Sequence, residues 1–138
     1  MEYVLDGYCG LYCGACHDLL GTKVGTTQIV CFGCKSDVNP EWCFKYDLKA
    51  CAREKGFDFC YQCDEYPCDN LQAFKEDPQY PYHQEVYDYM KIIEKEGKDA
   101  WLEKMKVRWF CPDCDEVASW WDQSCPKCGN KLNGYKKP

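Results

Sequence analysis

Five pairs of cysteines, each spaced C-x2-C, limit what this chain can fold into more than any other feature. Cys111/Cys114 and Cys125/Cys128 stand ten residues apart, Cys13/Cys16 and Cys31/Cys34 stand fourteen apart, and Cys60/Cys63 is the fifth pair. A C-x2-C turn aims two thiolates at one point, and two such turns complete a tetrahedron around Zn2+. With 14 cysteines in 138 residues, the chain reads first as a metalloprotein. Aromatic residues are plentiful while Ile, Leu and Val are sparse, and a small core of that kind needs staples.

Metal is the expected staple. Met1-Glu2-Tyr3 shows neither a basic nor an apolar leader region, so no secretory signal is expected. No apolar run approaches the ~20 residues of a membrane span. The expected location is cytoplasmic, where thiols stay reduced and bind metal rather than pair as disulfides.

The C-terminal four, Cys111, Cys114, Cys125 and Cys128, form the strongest set. Gly129 offers a left-handed turn after the second pair, and a strand from Val117 to Trp121 would complete a zinc ribbon. Four cysteines with no water ligand make a closed, structural site. Cys13, Cys16, Cys31 and Cys34 have near-ribbon spacing and form the second expected set. Cys51, Cys60, Cys63 and Cys68 form the third, at the end of a helix and in the knuckle after it. Cys9 and Cys43 stand as substitutes; in a helix, Cys43 and Cys51 lie about 12 Å apart along the axis and cannot share one ion. About three Zn2+ are therefore expected. Cys9-x3-Cys13-x2-Cys16 also has the spacing of the radical-SAM cluster, but a chain of this size lacks the alternation that builds the required barrel. A simpler iron-sulfur cluster on Cys9, Cys13 and Cys16 is the less favoured alternative.

His17 directly follows Cys16, where four cysteines already serve, and is not assigned as a ligand. His83 is expected at the surface. No Gly-x-Ser-x-Gly, phosphate loop or His-Glu-x-x-His occurs, so no catalytic or organic-cofactor residues are assigned and an enzyme is not expected.

The formal charge is -6, and three four-thiolate zinc units would carry it to about -12. Nucleic-acid binding needs a basic face, so it is not expected for the whole chain. The basic stretch Lys127, Lys131, Lys136 and Lys137 is expected to be a solvated terminus. The expected partner is a protein, with Trp120 and Trp121 offering one exposed ring if they lie on a strand.

Three segments follow. Residues 1–77 make a cysteine-rich metal-binding domain, mostly helix and loop. Asn39-Pro40-Glu41 reads as a helix start, and Gly56 as its stop. A shorter helix near Asp69 carries Leu71 and Phe74. Residues 78–108 make a linker and helical connector, one helix with Val86, Met90 and Ile93 on a stripe and a second with Trp101, Met105 and Trp109. Residues 109–138 make the zinc ribbon. The fold class is a small metal-stapled α+β protein.

The run Tyr8-Cys9-Gly10-Leu11-Tyr12-Cys13-Gly14-Ala15-Cys16, the pair Cys31/Cys34, Cys51-Ala52-Arg53-Glu54-Lys55-Gly56 and Phe59-Cys60-Tyr61-Gln62-Cys63-Asp64-Glu65-Tyr66-Pro67-Cys68 resemble domain-of-unknown-function family 3795. These are small cysteine-rich prokaryotic proteins, and the resemblance spans roughly residues 8–71. Ala100-Trp101-Leu102-Glu103, Trp109-Phe110-Cys111 and Ser119-Trp120-Trp121 are similar to the zinc-ribbon tail of some members. The resemblance implies metal binding in a bacterial or archaeal cytosol and no particular reaction. The leading functional expectation is a zinc-stabilised interaction or regulatory protein. The alternatives are an iron-sulfur electron-transfer protein and a zinc-thiolate redox switch or alkyl-transfer enzyme.

Overall fold

The structure, a computed structural model, describes residues 2–39, 48–114 and 116–138. Five α-helices are formed among the described residues: α1 (His17–Val24), α2 (Leu48–Lys55), α3 (Asp69–Glu76), α4 (Val86–Glu96) and α5 (Lys98–Arg108). Strand structure among them is limited to isolated bridges, Asp6 with Tyr12, Phe110 with Val117 and Ser124 with Lys131. The protein is thus mostly helical with little strand, which corrects the α+β expectation.

The helices follow the sequence signals closely. α4 buries Val86, Tyr89, Met90 and Ile93 on one stripe, the spacing of a helix with one apolar face. Gly97, at φ 91°, joins it to α5, whose Trp101 and Met105 are buried against α4. α1 ends at a left-handed Gly25, and α2 ends before Gly56 at φ 74°. The expected start of that second helix, residues 40–47 with Cys43, lies outside the described residues.

Trp101 is fully buried at the centre of the main core. Tyr12 meets it edge-on at 6.1 Å, and Tyr89 lies tilted to it at 6.0 Å. Tyr12 immediately precedes Cys13, so the same ring that anchors the helix pair also anchors the first knuckle. Ala15, inside that knuckle, is fully buried. The second turn is equally constrained: Gly33 has φ 108°, and a Cβ there would collide with the Val4 carbonyl. Only glycine combines that backbone with that approach.

Two expectations fail here. The strand from Val117 to Trp121 is not formed. Ser119 N–H donates to Asp122 Oδ2 (2.8 Å), Trp121 N–H donates to Ser119 Oγ (3.1 Å), and Asp122 N–H returns to the Ser119 carbonyl. These side-chain bonds replace a ladder with a turn. Trp120 and Trp121 therefore do not point to opposite faces of a strand. Both meet Tyr82, Trp120 stacked at 4.1 Å and Trp121 edge-on at 5.1 Å. Trp120 N–H also donates to the Ala15 carbonyl at 3.2 Å, which docks the C-terminal segment on the first knuckle. His83, expected at the surface, is 5% exposed. Its ring stacks on Phe74 at 3.7 Å, with Nδ1 2.9 Å from the Phe74 carbonyl oxygen. The 3-10 turn Pro81–Glu85 carries it inward against α3.

Trp120 is 6% exposed, and replacing a buried Trp by Ala costs ~3–5 kcal/mol. Trp120→Ala should therefore destabilise the protein by about that amount in urea unfolding. A loss below ~1 kcal/mol would show that the docking contributes little.

Candidate metal centre

Each C-terminal cysteine pair sits in a turn closed by backbone bonds. Cys111 N–H donates to the Glu116 carbonyl, Cys125 N–H to the Asn130 carbonyl, and Gly129 N–H to the Cys125 carbonyl at 2.8 Å. Gly129 takes φ 78°, as its place after the second pair predicts. Outside the turns, Asn130 donates to Asp113 and Lys127 pairs with Glu116 at 3.6 Å, so the two pairs are braced against each other.

The result is one point of convergence. The sulfurs of Cys111, Cys114, Cys125 and Cys128 all lie within 4.8 Å of one another. Cys111 and Cys128 are 3.6 Å apart, Cys114 and Cys125 3.2 Å. Thiolates arranged tetrahedrally at a Zn–S distance of ~2.3 Å stand about 3.8 Å apart, so these separations suit one ion. Among the described residues this is the one such group of three or more candidate ligands. Cys111 and Cys125 are buried, Cys114 is half-buried and Cys128 is exposed.

The protons on these sulfurs are unevenly held. Backbone N–H donation from Cys128, helped by the Cys114 thiol and the Lys127 amide, brings Cys125 down to about 6. The hydrogen bond that Cys114 donates to Cys125 pushes Cys114 up to about 12, with burial adding to it. Four sulfurs thus share too few cations, and a soft dication in their midst would replace the shared protons.

Among the described residues the N-terminal cysteines form no group of three or more sulfurs within 4.8 Å of one another. Cys13, Cys16, Cys31 and Cys34 gather around Leu19 in a second small core. Cys13 and Cys34 are joined by a side-chain hydrogen bond, which raises the Cys13 thiol, and burial raises it further. Cys16 precedes α1 and its sulfur accepts from the amides of Leu19 and Asp18, yet burial still pushes it up to about 12. Cys51, Cys60, Cys63 and Cys68 line one pocket together with Lys55 and Tyr66. Burial pushes Cys60 up to about 12, and Cys68, Cys51, Cys63 and Cys34 add to the rise. Cys9 packs against the main core, as do Cys16, Cys60 and Cys68. It and Cys16 both face Tyr82, whose hydroxyl is raised chiefly by burial.

Two lysines escaped the sequence reading. Lys55 Nζ lies 3.3 Å from Cys63 Sγ and 2.8 Å from Glu65 Oε2, reached from the last residue of α2. Lys35 pairs with Asp6 beneath the knuckles. Neither carries a spacing signal, because only the fold brings Cys63 to Lys55 and Asp6 to Lys35.

Raised thiols set a pH dependence. Cys114 holds its proton at neutral pH and must lose it to ligate, so the C-terminal centre competes with protons. Zinc affinity should fall as pH drops from about 8 to about 6, and metal uptake should release protons. Competition titration against a chromophoric chelator checks this; a constant affinity over that range would contradict thiolate ligation.

Comparison with known proteins places half of the chain. A family model described as a protein of unknown function, DUF3795, matches residues 5–73. That region holds both N-terminal cysteine groups and Cys9, while the converging C-terminal four lie beyond it. No curated protein and no solved structure matches the chain. On the strength of the family match, the chain belongs to DUF3795.

Proposed function

We propose that this is a zinc protein with structural four-cysteine centres, working as an interaction or regulatory module rather than an enzyme. The convergence of Cys111, Cys114, Cys125 and Cys128 within 4.8 Å is the observation that carries the reading. Soft thiolates in a four-sulfur set select zinc or iron, and zinc at four cysteines leaves no position for substrate. The turn-and-bridge geometry around the C-terminal four supports a ribbon-like zinc module at residues 109–138. The two N-terminal groups, Cys13/Cys16/Cys31/Cys34 and Cys51/Cys60/Cys63/Cys68, are read as two further centres, giving about three ions per chain. The partner is a protein, since an acidic chain suits neither strand of a nucleic acid.

A second reading has one observation in its favour. The sulfur pairs at 3.2 and 3.6 Å are poised to join if metal leaves. A peroxide would oxidise each pair of thiolates to a disulfide, taking two electrons and two protons to form two waters, and the zinc would be released. The centre would then serve as a redox switch, with exposed Cys128 as the point of attack.

Structural zinc contributes ~10–16 kcal/mol per site in small domains, against a typical net stability of ~5–15 kcal/mol. Complete chelation should therefore abolish the cooperative thermal transition, and zinc should restore it. Cys125→Ser should remove one ion and leave the rest bound. Purified protein holding mostly iron, or keeping its transition after full metal removal, would overturn the zinc reading. Metal release by peroxide, reversed by a thiol reductant, would favour the switch.

A further inference from the structure

Two short turns of the family region share one form. In the 3-10 turn Cys13–Ala15, Ala15 N–H donates to the Tyr12 carbonyl at 3.2 Å and Cys16 N–H to the Cys13 carbonyl at 3.1 Å. In the 3-10 turn Cys60–Gln62, Gln62 and Cys63 N–H donate in the same way to Phe59 and Cys60, each at 3.1 Å. The turns differ in what reaches them from residues 109–138. The Ala15 carbonyl accepts from Trp120 N–H at 3.2 Å, and both residues are buried. Among the described residues, no backbone bond from that segment reaches the second turn. A buried carbonyl that loses its donor is costly, so the first turn depends on where Trp120 stands.

That position depends in turn on the four-sulfur cluster. Trp120 lies midway between Cys114 and Cys125, whose sulfurs are 3.2 Å apart. The chain between them holds isolated bridges at Val117 and Ser124 and the turn through Ser119 and Asp122. The tail closes it from outside. Tyr135 N–H donates to the Trp120 carbonyl and Gly134 N–H to the Asp122 carbonyl, where a Cβ on Gly134 would meet the Asp122 backbone at 2.1 Å. A loop with so little regular structure takes its shape from the ties at its ends, and metal binding at such ties is coupled to folding. The family match ends at residue 73, so the loop caps a turn of the family region from outside it.

We propose that the C-terminal four-sulfur centre is a control element for the family region: with its ion bound it holds Trp120 on the Cys13–Ala15 turn, and loss of the ion frees that turn. This rests on the zinc reading of Cys111, Cys114, Cys125 and Cys128 and on no other centre. Tyr82, on which Trp120 stacks at 4.1 Å, lies near Cys9 and Cys16. Freeing the turn therefore presents two half-buried thiols to solvent.

The test is amide hydrogen exchange by NMR on the zinc-loaded full-length chain, with bound zinc counted in each sample. Cys125→Ser should hold one ion fewer than wild type, and Trp120→Ala the same number. In both variants the Ala15 and Cys16 amides should exchange at least about tenfold faster, while the Gln62 and Cys63 amides of the twin turn keep their wild-type rates. Asp122→Ala removes the acceptor for Ser119 N–H and should give the same pattern in weaker form even if Trp120→Ala fails to fold. Wild-type rates at Ala15 and Cys16 in a Cys125→Ser chain that has lost one ion would overturn the control and leave the zinc reading standing. Equal acceleration of both turns would reduce the contact to general stability and overturn the proposal. A Cys125→Ser chain holding as many ions as wild type would overturn the C-terminal centre, and the control with it.

Discussion

Sulfur atoms brought to one point repel one another once ionised, and everything in this protein depends on that repulsion being answered. The C-terminal four converge within 4.8 Å, with Cys125 brought down to about 6 while Cys114 is pushed up to about 12. Protons answer the repulsion poorly, because each one serves a single pair of sulfurs. A dication serves all four at once and adds directed bonds. The turns that bring the sulfurs together are short, and the second closes through Gly129 at φ 78°. On the proposed reading, metal serves in this aliphatic-poor chain where a larger protein uses hydrophobic area.

Aromatic rings do the remaining work. Trp101 centres the core between Tyr12 and Tyr89. Trp120 stacks on Tyr82 and donates to the Ala15 carbonyl within the first knuckle. Tyr135 N–H in turn donates to the Trp120 carbonyl at 2.6 Å, and the Tyr135 hydroxyl donates to Glu85. Trp120 lies between Cys114 and Cys125 in the chain, so the segment closed by the C-terminal sulfurs is the one that presses on the N-terminal turn. The four-sulfur cluster at one end and the packing at the other are therefore physically linked.

Much of this was legible in the sequence because the signals were local. The helix stripe of Val86, Met90 and Ile93, the helix stop at Gly56, and the pairing of the C-terminal cysteines each depend on residues a few positions apart. The misses depended on distance. His83 looked polar and solvent-bound, but its ring fills a slot between Phe74 and Tyr80 that exists only once α3 and the Pro81–Glu85 turn pack. Val117 to Trp121 looked like a strand by composition, and Ser119 with Asp122 turned it. Lys35 and Lys55 carry no sequence signal, since only the fold sets them against Asp6 and Cys63.

The central claim is that zinc sits among four sulfurs at the C-terminal turns. X-ray absorption at the zinc edge, on the full-length protein purified without added metal, tests it most directly. The account predicts a first shell of about four sulfurs at ~2.3 Å with no oxygen. A shell containing oxygen or nitrogen ligands, or an iron edge in place of zinc, would contradict it.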